Sequence, residues 1–315
     1  MIQFFNRKTQ KLETEKVYGD AFVKFLYQNP IGLVLTKTLF PKKTISKAMG
    51  LYQDTKASAK AIPEFIKLYE IPMSEYEEQT YTSFNDFFIR KFRPGKRCFI
   101  ADEDVFCAGA EARYLAVENL TAETRFPVKG IEINLAELLG PAVDAKDFLG
   151  GTLIIARLCP VDYHRFHFPV SGEQISFQEL AGELDSVNPV ALESLPKVLF
   201  KNERHVAIFE NPVFGKIAMI EVGAMGVGRI IQEGLAQEKQ LKFDKGQEKG
   251  YFLFGGSTVI WVVQPERLQL DADLVRNSGQ GIETWIPLGD RLGGKKTGGK
   301  TATRSSSGSA STADH

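Results

Sequence analysis

The chain has 315 residues, 43% of them hydrophobic, which is enough apolar side chain for one large core or two ordinary ones and argues against bulk disorder. Lysine plus arginine and aspartate plus glutamate both number 39, so net charge gives no argument for nucleic acid. Cys98, Cys107 and Cys159 are scattered, with neither metal-ligand spacing nor a disulfide framework, and fit a reducing compartment.

No apolar run reaches the roughly 18 residues of a spanning helix. Lys11, Glu13, Glu15 and Lys16 interrupt any export-signal pattern near the N-terminus. Residues 1–80 are predicted to form a mostly helical region, a candidate for membrane association. Segment 21–27 is apolar and aromatic, and Pro30 separates it from 31–35 and 36–40, with Lys37, Lys42, Lys43 and Lys47 close by. Apolar residues bordered by lysines suit a membrane interface and equally suit packing on the protein's own core. Helical spacing continues over 46–69, where Pro63 fits a helix start. Segment 83–92 is aromatic on one face and ends at the turn signal Pro94-Gly95.

Beyond Arg97 the pattern changes to short apolar runs bounded by glycine and acidic residues. Strands are predicted at 114–117, 152–158, 207–209, 216–222, 228–231, 251–254 and 258–263, with short helices at 136–139 and 191–199. Helices first and strands later, without βαβ alternation, give an α+β class with a mainly antiparallel sheet. That sheet is expected to form a second domain over 81–290. Residues 291–315, rich in Gly, Lys, Ser and Thr, are expected to be a disordered tail.

Two stretches carry chemistry-bearing residues. In Phe254-Gly255-Gly256-Ser257-Thr258 the glycines remove side-chain bulk on the N-terminal side of Ser257, so its hydroxyl has access to the preceding carbonyl. Such a serine is a nucleophile only if a base lies near it, and otherwise the stretch is an ordinary turn. Histidine is scarce, at His164, His167, His205 and His315, and the first two share the segment 159–172. Without a third ligand cluster they make a weak zinc case, and no metal is expected. On a strand, their odd separation points them to opposite faces and to different tasks.

Asp162-Tyr163-His164-Arg165-Phe166-His167-Phe168-Pro169 resembles the DYHR-x-H-x-P segment of phosphatidylserine decarboxylases, and Gly255-Gly256-Ser257-Thr258 resembles their glycine-serine processing motif. The likeness continues in order through Glu15–Gly19, Asn29–Gly32, Ser83–Arg90, Lys129-Gly130, Asn202–Arg204 and Val222–Gly228, covering nearly all of the chain short of the tail.

The resemblance implies a proenzyme that cuts itself between Gly256 and Ser257 into a large chain, 1–256, and a small chain, 257–315. Ser257 then becomes an N-terminal pyruvoyl group, a covalent cofactor that takes up the substrate amine and accepts electrons as carbon dioxide leaves. His167 is implied as the base that activates Ser257, and His164 as the histidine of the decarboxylation step. The family orients its base with a carboxylate, and the register places Glu111 at that aspartate, one methylene longer. Met225 stands where a small polar residue is more usual.

The expected partners are phosphatidylserine in a membrane and the two chains of one proenzyme, with a homodimer left open. The expected location is the cytoplasmic face of the cell membrane, held peripherally. Glu111 motivates an alternative, an uncleaved paralogue that only binds lipid. A serine hydrolase using Ser257, His167 and Glu111 fits poorly, because Val259 occupies the final glycine of the nucleophile elbow and a strand-like run follows.

Overall fold

The computed structural model describes residues 3–15, 50–125, 132–182, 202–223, 229–255 and 257–297. The apolar segments at 21–40, Lys129-Gly130, the helix expected at 191–199, Met225, Gly256 and the chain beyond 297 lie outside the described residues.

Ten strands form one sheet in the spatial order Leu241–Phe243, Gly172–Leu180, Arg204–Asn211, Gly215–Gly223, Ser257–Val263, Thr152–Leu158, Ala112–Glu118, Glu283–Ile286, Gln3–Asn6 and Lys11–Thr14. Every neighbouring pair is antiparallel except Gln3–Asn6 with Glu283–Ile286. The α+β class with a mainly antiparallel sheet is therefore observed.

Ser257–Val263 lies in the middle of this sheet and is buried along its whole length. Its sequence explains why, since a run of β-branched and apolar residues has no polar face to offer solvent. Val259, Trp261 and Val263 enter one core with Ile154, Ala156 and Leu158. Ile260 and Val262 enter a second core on the reverse face, with Leu153, Ile155 and the helix Leu135–Leu139. By the period of two, Ser257 belongs to the face of Val259 and Trp261. Phe166 and Phe252 share that core, and both come from a smaller antiparallel sheet of Ile230–Gln232, Glu248–Phe252 and Arg165–His167. Ser257 thus faces the histidine-bearing sheet.

A third, aromatic cluster joins the helices Ile62–Tyr69 and Phe84–Phe88 to Tyr76 and Tyr163. Pro63 stands in the first turn of the first helix, as its sequence position predicts. Ser83 caps the second by accepting the Asp86 N–H at 3.1 Å. Among the described residues no helix is long and apolar enough to cross a membrane.

Two expectations are corrected. The start of the 1–80 region is a hairpin, Gln3–Asn6 with Lys11–Thr14, instead of a helix. Four-residue strands are too short to show a period, and their sheet partner, Glu283–Ile286, is far away in sequence. The first residues of the expected tail, Arg291–Lys295, form a strand between Val105–Cys107 and Leu268–Leu270. Leu292 is fully buried there, and a Cβ on Gly293 would lie 2.4 Å from the Gln269 carbonyl oxygen. The glycines read as a flexible tail are small so that backbones can approach.

Candidate active site

Ser257 opens the central strand, opposite Gly223 on one side and Leu158 on the other. Gly255, two residues earlier, has φ +151°, a conformation that favours glycine, so the chain can turn sharply into the strand. The arm that leads into this turn is tied down by side chains from distant segments. Asn85 Oδ1 accepts the Phe254 N–H at 2.7 Å, and Asn85 Nδ2 donates to Asp54 at 2.7 Å. The Phe252 N–H donates to the His164 carbonyl at 2.9 Å.

The histidine segment begins with a tight turn in which the Asp162 N–H reaches the Cys159 carbonyl at 2.8 Å. Asp162 Oδ2 accepts the Cys159 N–H at 2.7 Å and an Arg113 N–H at 2.6 Å, and Asp162 Oδ1 accepts from Trp285 Nε1 at 3.2 Å. Asp162 therefore shapes the turn. Its backbone carbonyl accepts from His164 Nδ1 at 3.0 Å. His167 is held in a parallel way, Nδ1 donating to the Gly246 carbonyl at 2.9 Å.

A carbonyl can only accept, so each neutral imidazole carries its proton on Nδ1 and presents a bare Nε2. His164 Nε2, His167 Nε2 and Ser257 Oγ are all buried, and none has a hydrogen-bond partner among the described residues. Buried polar atoms are nearly always paired, so these orphans, together with Trp261 Nε1 on the face of Ser257 and Arg90 Nε, mark this region as a candidate site.

The surroundings keep both rings neutral. Burial, reinforced by Arg90, lowers the His164 pKa from 6.5 to about 3. Burial, reinforced by Arg165 and Lys91, lowers that of His167 to about 4, against the opposing bond to Gly246. The two rings occupy separate places. His164 lies 3.8 Å from the Phe88 ring, whereas His167 lies 5.8 Å from Phe99 and 6.0 Å from Tyr163. Their different neighbours fit two different tasks.

Glu111 is also buried, and its carboxylate accepts from Arg97 Nε at 2.6 Å. Arg97 in turn donates to Glu75 at 2.9 Å. Burial raises the Glu111 pKa, and Arg97 opposes that rise. The acceptor found at His167 Nδ1 is the Gly246 carbonyl, and the arginine found at Glu111 is Arg97. Glu111 still connects to His167 through the backbone, because the Gly109 carbonyl, two residues before it, accepts the His167 N–H at 2.7 Å.

Two residues gain a role that their sequence did not reveal. Asn85 and Arg90 sit in a quoted motif, yet Asn85 acts on Phe254 and Arg90 on the carbonyls of Val161 and Asp162, at 2.9 and 3.2 Å. A polar residue at each end of an aromatic helix was the available signal.

The profile of the family described as Phosphatidylserine decarboxylase matches residues 84–284. Among curated proteins, the "Phosphatidylserine decarboxylase proenzyme" of Clostridium novyi (strain NT) is 39% identical over 94% of this chain and 100% of its own length. Those of Clostridium botulinum (strain Kyoto / Type A2) and Fusobacterium nucleatum subsp. nucleatum are 40% and 38% identical, each over 94% of this chain and over 100% and 98% of their own lengths. The match spans the aromatic helix, the histidine segment and the central strand, and the chain belongs to the phosphatidylserine decarboxylase family.

Proposed function

We propose that this chain is a self-cleaving proenzyme whose processed form converts phosphatidylserine to phosphatidylethanolamine. The observation that carries the proposal is that Ser257 Oγ and the Nε2 atoms of His164 and His167 are buried and without partners among the described residues. A serine hydroxyl at its ordinary pKa is a poor nucleophile, and a neutral imidazole nitrogen is the base it needs. His167 Nε2 takes the Ser257 proton as Oγ attacks the Gly256 carbonyl, and the amide nitrogen leaves with a proton to give an ester. Loss of the Ser257 α-proton then expels the Gly256 carboxylate, and water replaces ammonia at the new N-terminus.

The residues present fit that product. Ser257 is fully buried at the head of a central strand, so its carbonyl derivative stays fixed and shielded from bulk water. Such a pyruvoyl group supplies an electron sink for loss of carbon dioxide. We assign His164 Nε2, buried and without a partner among the described residues, as the acceptor that takes a proton from the substrate ammonium and returns it to the carbon that lost its carboxylate. Glu111 serves as the anchor of the His167 support, through Arg97 on one side and the Gly109 carbonyl on the other.

Acting on a membrane lipid requires contact with a bilayer, and the lysine-bordered apolar segments at 21–40 have a composition suited to it. We assign the processed protein, large and small chains together, to the cytoplasmic face as a peripheral protein.

The test is purified protein with phosphatidylserine vesicles, followed by released carbon dioxide and by lipid analysis. The proposal expects one phosphatidylethanolamine per carbon dioxide and no turnover by Ser257→Ala. Fully cleaved, folded protein that leaves phosphatidylserine intact contradicts it.

A further inference from the structure

Arg90 is fully buried, and among the described residues no carboxylate lies within ion-pair distance of it. Four other interior cations differ, while Arg204, also buried, likewise donates to backbone carbonyls. Arg113, Arg157, Arg165 and Lys249 each have a carboxylate within 3.1 Å. The Arg90 guanidinium instead lies against two rings, 4.6 Å from the centre of Tyr76 and 4.8 Å from that of Phe87. Leaving a buried cation without an anion is costly, and such a cost persists where the charge has a use.

The use is visible at the Asp162 carbonyl. It accepts from Arg90 Nη2 at 3.2 Å and from His164 Nδ1 at 3.0 Å, so guanidinium and imidazole share one acceptor. Arg90 Nη2 also holds the preceding carbonyl, Val161, at 2.9 Å. The backbone that orients the His164 ring is thus pinned by Arg90. The charged groups around this pair are committed elsewhere. The Asp162 carboxylate is bound to Arg113, Glu111 to Arg97, and Arg165 to Glu248. Tyr76 faces Arg90 as a neutral hydroxyl 3.5 Å from Nη2, Tyr81 is a neutral phenol, and the Phe88 ring covers His164.

We infer that Arg90 is a positioning residue for His164: through the shared Asp162 carbonyl it fixes the Nδ1–H tautomer, and its uncompensated charge keeps Nε2 free of a proton until a reacting group delivers one. The inference rests on the proposed use of His164 as the proton carrier of decarboxylation, and its first test does not depend on that reading.

That test is ¹⁵N NMR of histidine in the full-length, uncleaved Ser257→Ala protein, with His164→Gln to assign the signal. His164 is expected to show the Nδ1–H tautomer at neutral pH and to stay neutral well below pH 6. In Arg90→Met, loss of the cation should raise its titration by about one pH unit or more. Arg90→Lys, which keeps the charge, should restore much of the shift. A protonated Nε2 in the Arg90-intact protein overturns the inference even if Arg90→Met does not fold, and so does an unchanged titration in folded Arg90→Met.

In the processed enzyme, the acidic limb of the decarboxylation profile should move upward with the same variant. If the NMR shift occurs and the activity limb stays put, the Arg90–His164 coupling holds and the assigned role of His164 fails.

Discussion

On the reverse face of the sheet, one residue along from Ser257, Arg113 and Arg157 stand directly opposite each other on neighbouring strands. Like charges in that position repel, and three buried acids offset them. Arg157 donates to Glu283 at 2.9 and 2.6 Å and to Glu15 at 3.2 and 2.7 Å, while Arg113 pairs with Glu15 at 3.1 Å and Asp162 at 2.6 Å. On the face that Ser257 shares with the histidine sheet the rule is reversed, since Ser257 Oγ and two imidazole nitrogens are buried without partners among the described residues. Asp162 belongs to both regions, its carboxylate in the paired network and its carbonyl under His164. The paired region holds the scaffold still, and the unpaired region keeps its lone pairs available for reaction.

This contrast can be broken at either end. Ser257→Ala should abolish chain cleavage and leave the thermal transition of the folded precursor nearly unchanged, because its hydroxyl makes no hydrogen bond among the described residues. A large fall in Tm would mean that Ser257 is structural. His167→Gln should slow cleavage by about 10²–10⁴-fold, the usual contribution of a positioned base, as followed by gel densitometry after refolding. Wild-type cleavage speed in that variant assigns the base elsewhere.

The paired side should respond in stability. Arg157→Met removes an arginine partner of Glu283 and leaves Glu15 with Arg113, and should cost about 3–5 kcal/mol in denaturant unfolding of the Ser257→Ala precursor. Burial alone would raise the Glu15 pKa, yet Arg157 and Arg113 hold it down, from 4.5 to about 2. Its contribution is therefore complete above pH 4.5 and fades as pH falls towards 2. A variant whose acid unfolding profile matches the parent's contradicts that pairing.

The pH dependence of cleavage sharpens the unpaired side. With the His167 pKa lowered to about 4, the base is neutral at pH 5.5, so cleavage there should match the rate at pH 7 and fall only near pH 4. A base at the ordinary pKa would have lost roughly tenfold by pH 5.5.

The smallest effect is expected at the buried pair Lys249–Glu221, 2.9 Å apart and remote from solvent. Lys249→Met alone leaves an unpaired buried carboxylate, whereas Lys249→Met with Glu221→Leu should change stability by about 1 kcal/mol or less. A double variant as unstable as the single one would show that the pair does more than neutralise itself.

Strand 152–158 was legible because its apolar run has a single reading, and the central strand because its run follows directly on Gly-Gly-Ser. Ser257 and the two histidines stand in compact motifs, and histidine is a rare residue type in this chain. Arg90, Asn85 and Arg113 were not legible, because each acts on a segment far along the chain and its side chain alone names no partner. The orienting partner of His167 was hidden too, since a backbone carbonyl leaves no mark in a sequence. The N-terminal hairpin escaped because pairing with Glu283–Ile286, rather than local propensity, makes it a strand.

The central claim is that Ser257 is consumed to make the reactive group, and intact-mass measurement of the purified protein tests it most directly. The account predicts two chains, the smaller beginning at position 257 with a blocked N-terminus, whose masses sum to that of the precursor plus one water and less one ammonia. A single folded chain of full precursor mass, or a small chain that begins with an unmodified serine, would contradict it.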